Sequence, residues 1–203
     1  MEVMQEFLIG MVGASLIEKV AVMLGVINVL LIIRRSVWNY PFGLVMVVLY
    51  AKIFFDYKLY SDALLQIYFF VIQIYGWWYW LRGRACDGRI IVSRLPAHVW
   101  PVYAASALGG GVVLGFLMAR FTDADFPYWD ATIAVLSVIA QLLLSRRRLE
   151  SWLVWIVVDL LAIGLFAVKG LYPTAALYAV FLCMAVSGLY LWTRAFRAGT
   201  ALR

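Results

Sequence analysis

Seven runs of mostly apolar residues divide the chain, roughly at 15–33, 40–55, 60–81, 100–120, 127–144, 152–168 and 171–193. Each approaches the ~20 residues an α-helix needs to cross a hydrocarbon core. A soluble domain of this size could not bury so many all-apolar helices. With 66% hydrophobic residues, 14% charged residues and a mean hydropathy of +0.94, the chain reads as an all-α integral membrane protein with seven transmembrane helices. The third and seventh runs are the clearest. The second is short, and Pro41 in "WNYPFG" sits where a first-turn proline is tolerated. The fourth contains "GGG" at 109–111, which predicts a bend or a loosened helix.

Charge alternates between the connections. Arg34 and Arg35, then Arg82, Arg84, Arg89 and Arg94, then Arg146, Arg147 and Arg148, then Arg194, Arg197 and Arg203 fall on one side of a seven-span chain. Glu2 and Glu6, then Asp56, Lys58 and Asp62, then Arg120, Asp123, Asp125 and Asp130, then Lys169 fall on the other. The positive-inside rule therefore predicts an N-terminus outside and a C-terminus in the cytoplasm. The net charge of +6 follows from this topology, so nucleic acid is not expected as a partner. The first twenty residues carry Glu2 and Glu6 and no basic stretch before the apolar run, unlike a cleaved signal peptide. Cys86 and Cys183 match no metal or redox spacing and are expected as free thiols; no metal or cofactor is expected.

The chain also resembles itself. An offset of 112 positions aligns "VINVLLIIRR" (26–35) with "VIAQLLLSRR" (138–147), and "LYSDALLQIYFFVIQIYGWWYWLR" (59–82) with "LYPTAALYAVFLCMAVSGLYLWTR" (171–194), without a gap. Paired residues include Arg34 with Arg146, Tyr60 with Tyr172, Gly76 with Gly188, Trp80 with Trp192 and Arg82 with Arg194. Two three-helix units joined directly would be inverted relative to each other, and the unmatched fourth helix restores their orientation. The expected organisation is 3+1+3: a first repeat at 15–81, a linking helix at 100–120 and a second repeat at 127–193. Transporters use such repeats to hold a substrate near the midplane.

Polar residues inside the spans mark the candidate site. In the third run Asp62, Gln66, Gln73 and Trp77 share one helical face. In the sixth, Trp152, Trp155, Asp159 and Phe166 do the same. Asp159 corresponds to Val47 under the offset, so only the second half carries this carboxylate. An ionised carboxylate near the midplane costs at least about 2.5 kcal/mol on insertion scales unless paired or hydrated. Lys52 and Lys19 are the candidate structural partners. Aromatic walls with one carboxylate suit a flat, positively charged heterocycle. The substrate-binding candidates are Asp159, Trp155, Trp152, Gln66, Gln73, Trp77, Asn39, Tyr50, Asp62 and Tyr178, with Asn28 a weaker one. Interhelical hydrogen bonding is the alternative role for Gln66 and Gln73. Trp38, Trp77, Trp78, Trp80, Trp100 and Trp192, near helix ends, read most simply as interfacial anchors. Gly43, Gly76, Gly164 and Gly188 are expected at close-packing or bending points.

The pieces "WNYPFG" (38–43), "LYSDALLQ" (59–66), "YGWWYW" (75–80), "ESWLVWIVVD" (150–159) and "KGLY" (169–172) together resemble the PnuC family of bacterial vitamin transporters, over about residues 16–194. The resemblance implies the 3+1+3 fold of full-length, SWEET-like carriers. It also implies facilitated diffusion, with a cytoplasmic kinase phosphorylating the vitamin so that it cannot leave. The chain has no Gly-rich Lys-Ser/Thr loop for ATP. In nicotinamide riboside carriers of this family the sixth helix often reads Trp, three residues, Asn; thiamine carriers place Trp there. Trp155 to Asp159 matches neither. Nicotinamide riboside and thiamine are cationic and suit a carboxylate, while neutral riboflavin suits it less. The expected activity is uniport of nicotinamide riboside or a similar cationic vitamin, by rocking of the two halves about the fourth helix. The alternatives are a thiamine or riboflavin carrier of the same fold, or a binding-only membrane component. An intramembrane enzyme would need a nucleophile, base or metal set within the spans, and the single histidine, His98, lies in a connection. Association of protomers is left open.

Overall fold

The computed structural model describes residues 16–56, 60–83 and 90–201, apart from the side chains of residues 60–62, 173, 200 and 201. Glu2, Glu6, Lys58, Arg84, Cys86, Arg89 and Arg203 lie outside the described residues, as does the side chain of Asp62. The described residues form seven α-helices: α1 (Leu16–Ile33), α2 (Asn39–Asp56), α3 (Tyr60–Leu81), α4 (Trp100–Phe121), α5 (Pro127–Ser145), α6 (Ser151–Val168) and α7 (Tyr172–Ala201). A short 3-10 turn at Ala97–Val99 leads into α4.

Five segments are long and apolar enough to span a membrane: α1, α4 with its preceding turn, α5, α6 and Thr174–Gly199 of α7. The seven apolar runs expected from sequence thus become five by this measure. With 18 and 22 residues, α2 and α3 reach about 27 and 33 Å at 1.5 Å per residue. Their hydropathy is lower because α2 ends in Lys52 and Asp56, and α3 carries Gln66, Gln73 and many tyrosines and tryptophans.

Consecutive helices pack as α1–α2–α3 and α5–α6–α7, and contacts of α3 with α5 and of α7 with α1 close the six into a ring. α4 packs against α5 on the outside of that ring instead of lying between the two halves. Its glycine triplet neither ends nor interrupts the helix. Gly110 and Gly111 instead bring α4 close to Val135 and Thr132 of α5.

Residues 112 apart adopt matching geometry. α1 and α5 each end on an arginine in the left-handed region, Arg35 at φ 58° and Arg147 at φ 59°. The closing bonds also correspond: Arg35 N–H to Ile32 O with Ser36 N–H to Leu31 O, and Arg147 N–H to Leu144 O with Arg148 N–H to Leu143 O. Such turns normally use glycine, because a Cβ costs roughly 1–2 kcal/mol there. At the end of α6 that role falls to Gly170, at φ 72°.

These turns lie beside an aromatic core. Trp80 and Trp192 are 0% exposed, which corrects their reading as interfacial anchors. Each spans the ring: the Trp80 indole donates to the carbonyls of Leu144 and Ser145 on α5, and the Trp192 indole donates to Ile32 on α1. Tyr40 meets Trp80 edge-on at 5.2 Å, and Trp152 meets Trp192 edge-on at 5.5 Å. Glycine makes both contacts possible, since a Cβ at Gly76 would stand 2.6 Å from the Tyr40 hydroxyl and one at Gly188 2.6 Å from the Trp152 ring. Trp38, Trp78 and Trp100 stay exposed, as anchors should.

Candidate functional site

The indole bonds set the end of α3 level with the end of α5, and Trp192 of α7 level with the end of α1, so depth can be read along each helix. Gln73 lies eight residues before the end of α3, and Asp159 eight residues after the start of α6. Both stand about 12 Å in, near mid-span. Two offset pairs buried at this depth differ in polarity: Val47 and Gln73 in the first half, and Asp159 and Ala185 in the second. Of each pair one member is polar, Gln73 on α3 and Asp159 on α6, while Ser137, also buried at this depth, donates within its own helix to Ile133 O at 2.8 Å.

Asp159 is 4% exposed. Among the described residues it makes no ion pair and no side-chain hydrogen bond. Lys52, one expected partner, instead pairs with Asp56 at 2.7 Å on the exposed side of α2. Lys19 likewise makes no ion pair with Asp159. A charge buried without a counter-charge is the costly arrangement, and a cationic ligand would relieve it.

Gln73 donates to Gly43 O at 3.5 Å, and the closeness depends on glycine. A Cβ at Gly43 would overlap Gln73 Oε1 and stand 3.0 Å from Asn28 Oδ1. Asn28 Oδ1 is itself buried with no partner among the described residues. Two amides from α1 and α3 thus converge over one glycine of α2, and they offer donors and acceptors within the first half, Gln73 at the depth of Asp159 and Asn28 about one turn nearer the arginine turns.

The other candidates separate. Trp77, half-buried one turn from Gln73, stacks parallel to Tyr40 at 6.3 Å. Trp155 is half-buried one turn from Asp159 and packs on the aromatic core. Trp152 belongs to that core, with its indole N–H buried and unpartnered among the described residues. Gln66 is half-buried toward the opposite end of α3. Tyr178 stacks on Phe166 at 5.4 Å, and Tyr50 on Phe54 at 5.7 Å. Asn39 donates its side-chain amide to Ser36 O at 2.6 Å in the α1–α2 turn.

Sequence reasoning passed over two features. Glu150 is buried, with its carboxylate accepting from Leu95 N–H at 2.8 Å and from Arg94 Nε at 3.3 Å. Trp129 donates to Leu161 O at 3.0 Å and packs on Gly164. At the far end Lys169 pairs with Asp130 at 3.2 Å. Cys183 is a free thiol, and no group of His, Cys, Asp or Glu among the described residues is arranged to hold a metal.

A buried carboxylate without a counter-charge among the described residues on one half and two converging amides on the other, in a ring of apolar helices, suit a transporter, and known proteins are similar to the chain as follows. The family described as nicotinamide mononucleotide transporter matches residues 15–194. The chain belongs to that family. Within the nicotinamide mononucleotide transporter family it is 30% identical, over 208 residues, to the nicotinamide riboside transporter PnuC of Escherichia coli K12, covering 90% of this chain and 87% of that one. It is 26% identical over 178 residues to the riboflavin/roseoflavin transporter RibM of Streptomyces davaonensis, covering 86% and 83%. The crystal structure of the vitamin B3 transporter PnuC superposes with a TM-score of 0.78 at 26% identity, over 97% of this chain and 89% of that one. These relatives are transporters, and family membership with five apolar spans makes the chain a multi-pass membrane protein.

Proposed function

We propose that this chain is a uniporter that carries nicotinamide riboside, or a vitamin of like size and charge, across the bacterial inner membrane by facilitated diffusion. The observation that carries the reading is Asp159, a mid-span carboxylate 4% exposed and without a counter-ion among the described residues. The pyridinium ring of nicotinamide riboside supplies the missing charge, Trp155 and Trp77 offer aromatic faces, and Gln73 with Asn28 offers partners for an amide or ribose. All seven helices span, in a 3+1+3 order with repeats at 15–81 and 127–193 and the linking helix at 100–120. The arginine-rich turns face the cytoplasm and the N-terminus the periplasm. Net uptake is drawn by a cytoplasmic kinase that phosphorylates the vitamin.

Riboflavin is the second reading, favoured by the likeness to the Streptomyces transporter. Charge separates the two, because a neutral isoalloxazine leaves Asp159 uncompensated. The deciding experiment places purified protein in liposomes with labelled nicotinamide riboside, thiamine or riboflavin and no ATP or ion gradient. Equilibration of nicotinamide riboside is the expected result. Saturable binding without flux would replace the uniporter with a binding-only protein, and flux of riboflavin alone would support the second reading.

A further inference from the structure

The segment that follows α3 does not simply cross the surface to α4. Ile90 and Val92 are buried in the aromatic core, beside Trp80 and Trp192. Residues 90–95 lie as a strap over the end of the ring where the α1–α2 and α5–α6 turns meet, and they hold both.

The two attachments are unequal. Among the described residues the strap meets the first turn through Ile90 N–H to Arg35 O at 3.4 Å and the Arg35 guanidinium to Ile90 O at 3.2 Å, and Ile91 N–H donates to Gly83 O just past α3 at 3.0 Å. To the second it makes a short parallel bridge, with Ser93 N–H to Arg147 O at 3.0 Å and Leu149 N–H to Ser93 O at 2.9 Å. Glu150 then takes Leu95 N–H and Arg94 Nε, and Arg148 donates to Arg94 O. The Glu150 contacts are charge-assisted and buried on the carboxylate side, and hydrogen bonds of that kind are roughly twice as strong as neutral ones.

We propose that residues 90–95 are the gate at the arginine-rich end of the carrier, fixed to the α5–α6 turn and released from the α1–α2 turn when that end opens. Parting of the two halves must break the strap from one turn, and the weaker attachment gives way. Ile90 and Val92 then part from the first-half members of the aromatic core, Ile32, Ile33, Val37, Tyr40 and Trp80, and stay with Trp152 and Trp192 of the second. The proposal rests on the carrier reading above, which supplies the need for that end to open.

Two cross-links carry opposite expectations, each in a protein with Cys86 and Cys183 replaced by serine. Arg35→Cys with Ile90→Cys, joined by a short bis-methanethiosulfonate linker, should stop nicotinamide riboside flux in liposomes, and reduction should restore it. Ser93→Cys with Arg148→Cys, joined in the same way, should leave flux at the level of the reduced protein. Flux through the first linked protein, or arrest of the second, overturns the proposal. A measurement without substrate keeps the gate separate from the carrier reading. Arg35→Gly keeps the left-handed backbone while removing the guanidinium, so it should raise labelling of Val92→Cys by a membrane-impermeant maleimide several-fold. Unchanged labelling overturns the gate even if no flux is seen in any variant, whereas absent flux in the unlinked parent overturns only the carrier reading.

Discussion

Asp159→Asn should do two things that ordinarily oppose each other: make the empty protein more stable and make it a poorer receptor. The residue is the ninth of the 18 in α6, 4% exposed, with no cation within ion-pair distance among the described residues. Insertion scales put an aspartate at a helix centre at about 2.5–3.5 kcal/mol. Recovery of about 1–2 kcal/mol by the neutral amide corresponds to a rise of about 2–8 °C in melting temperature for a chain of this size. Binding moves the other way. A carboxylate about 5 Å from a pyridinium, at an effective dielectric near 20, attracts it by about 3 kcal/mol. Losing half to all of that weakens Kd by roughly 10- to 150-fold. The assay is calorimetric titration of wild type and Asp159→Asn with nicotinamide riboside and with its uncharged dihydro form, beside melting curves of both empty proteins. The dihydro form should lose less than about threefold. Equal losses for the two ligands, or a lower melting temperature for the empty variant, would show that Asp159 holds the fold together instead of the cation.

Gln73→Ala and Gln66→Ala should each lower affinity for nicotinamide riboside without lowering folded yield, by about fivefold for Gln73; a collapse in yield on purification would assign them to interhelical bonding. Gly188→Ala should destabilise by about 1–3 kcal/mol, because its Cβ meets the Trp152 ring at 2.6 Å and a core indole has little room to yield. Gly109→Ala should stabilise by about 1 kcal/mol, since nothing lies within 4 Å of its Cβ; thermal melts that reverse this order would contradict the packing. Trp80→Phe and Trp192→Phe should each cost about 0.5–1.5 kcal/mol by removing a buried indole hydrogen bond, since Leu144 O and Ile32 O keep the Arg147 and Arg35 backbone N–H groups. Melts in which neither variant differs from wild type would deny those bonds.

Helix positions were legible because apolar runs and Pro or Gly punctuation act locally. Pro127 opens α5, Pro101 sits in the first turn of α4, and Gly170 closes α6. The fate of a tryptophan near a helix end is not local. Trp38 and Trp192 look alike in sequence, yet one lies open and the other is sealed by α1 and α6. A signal did exist, since Gly76 precedes Trp80 by four residues and Gly188 precedes Trp192 by four. That spacing puts a bare patch of backbone beside each ring. Glu150 had no such signal. It opens α6 like any helix-start acid, and only the return of residues 93–95 across the turn buries it. Asn39 shows the local case: an asparagine at the start of a helix readily bonds the adjacent turn, as it does here with Ser36 O.

The offset of 112 residues is most informative where it fails. The arginine turns, the cross-ring indole bonds and the glycine–aromatic contacts all come in pairs, and each pair does the same packing work in its own half. At mid-span the pairs diverge, with Val47 against Asp159 and Gln73 against Ala185. All four positions are buried, so exposure to lipid or water does not explain the difference. A scaffold under selection for stability alone would favour Val and Ala in both halves, since a buried polar side chain costs free energy unless it is partnered. On the carrier reading proposed above, one amide and one carboxylate at equal depth on opposite halves suit a ligand with a polar edge and a positive ring. On that reading the ends of the ring are symmetric because they close, and its middle is asymmetric because the ligand is.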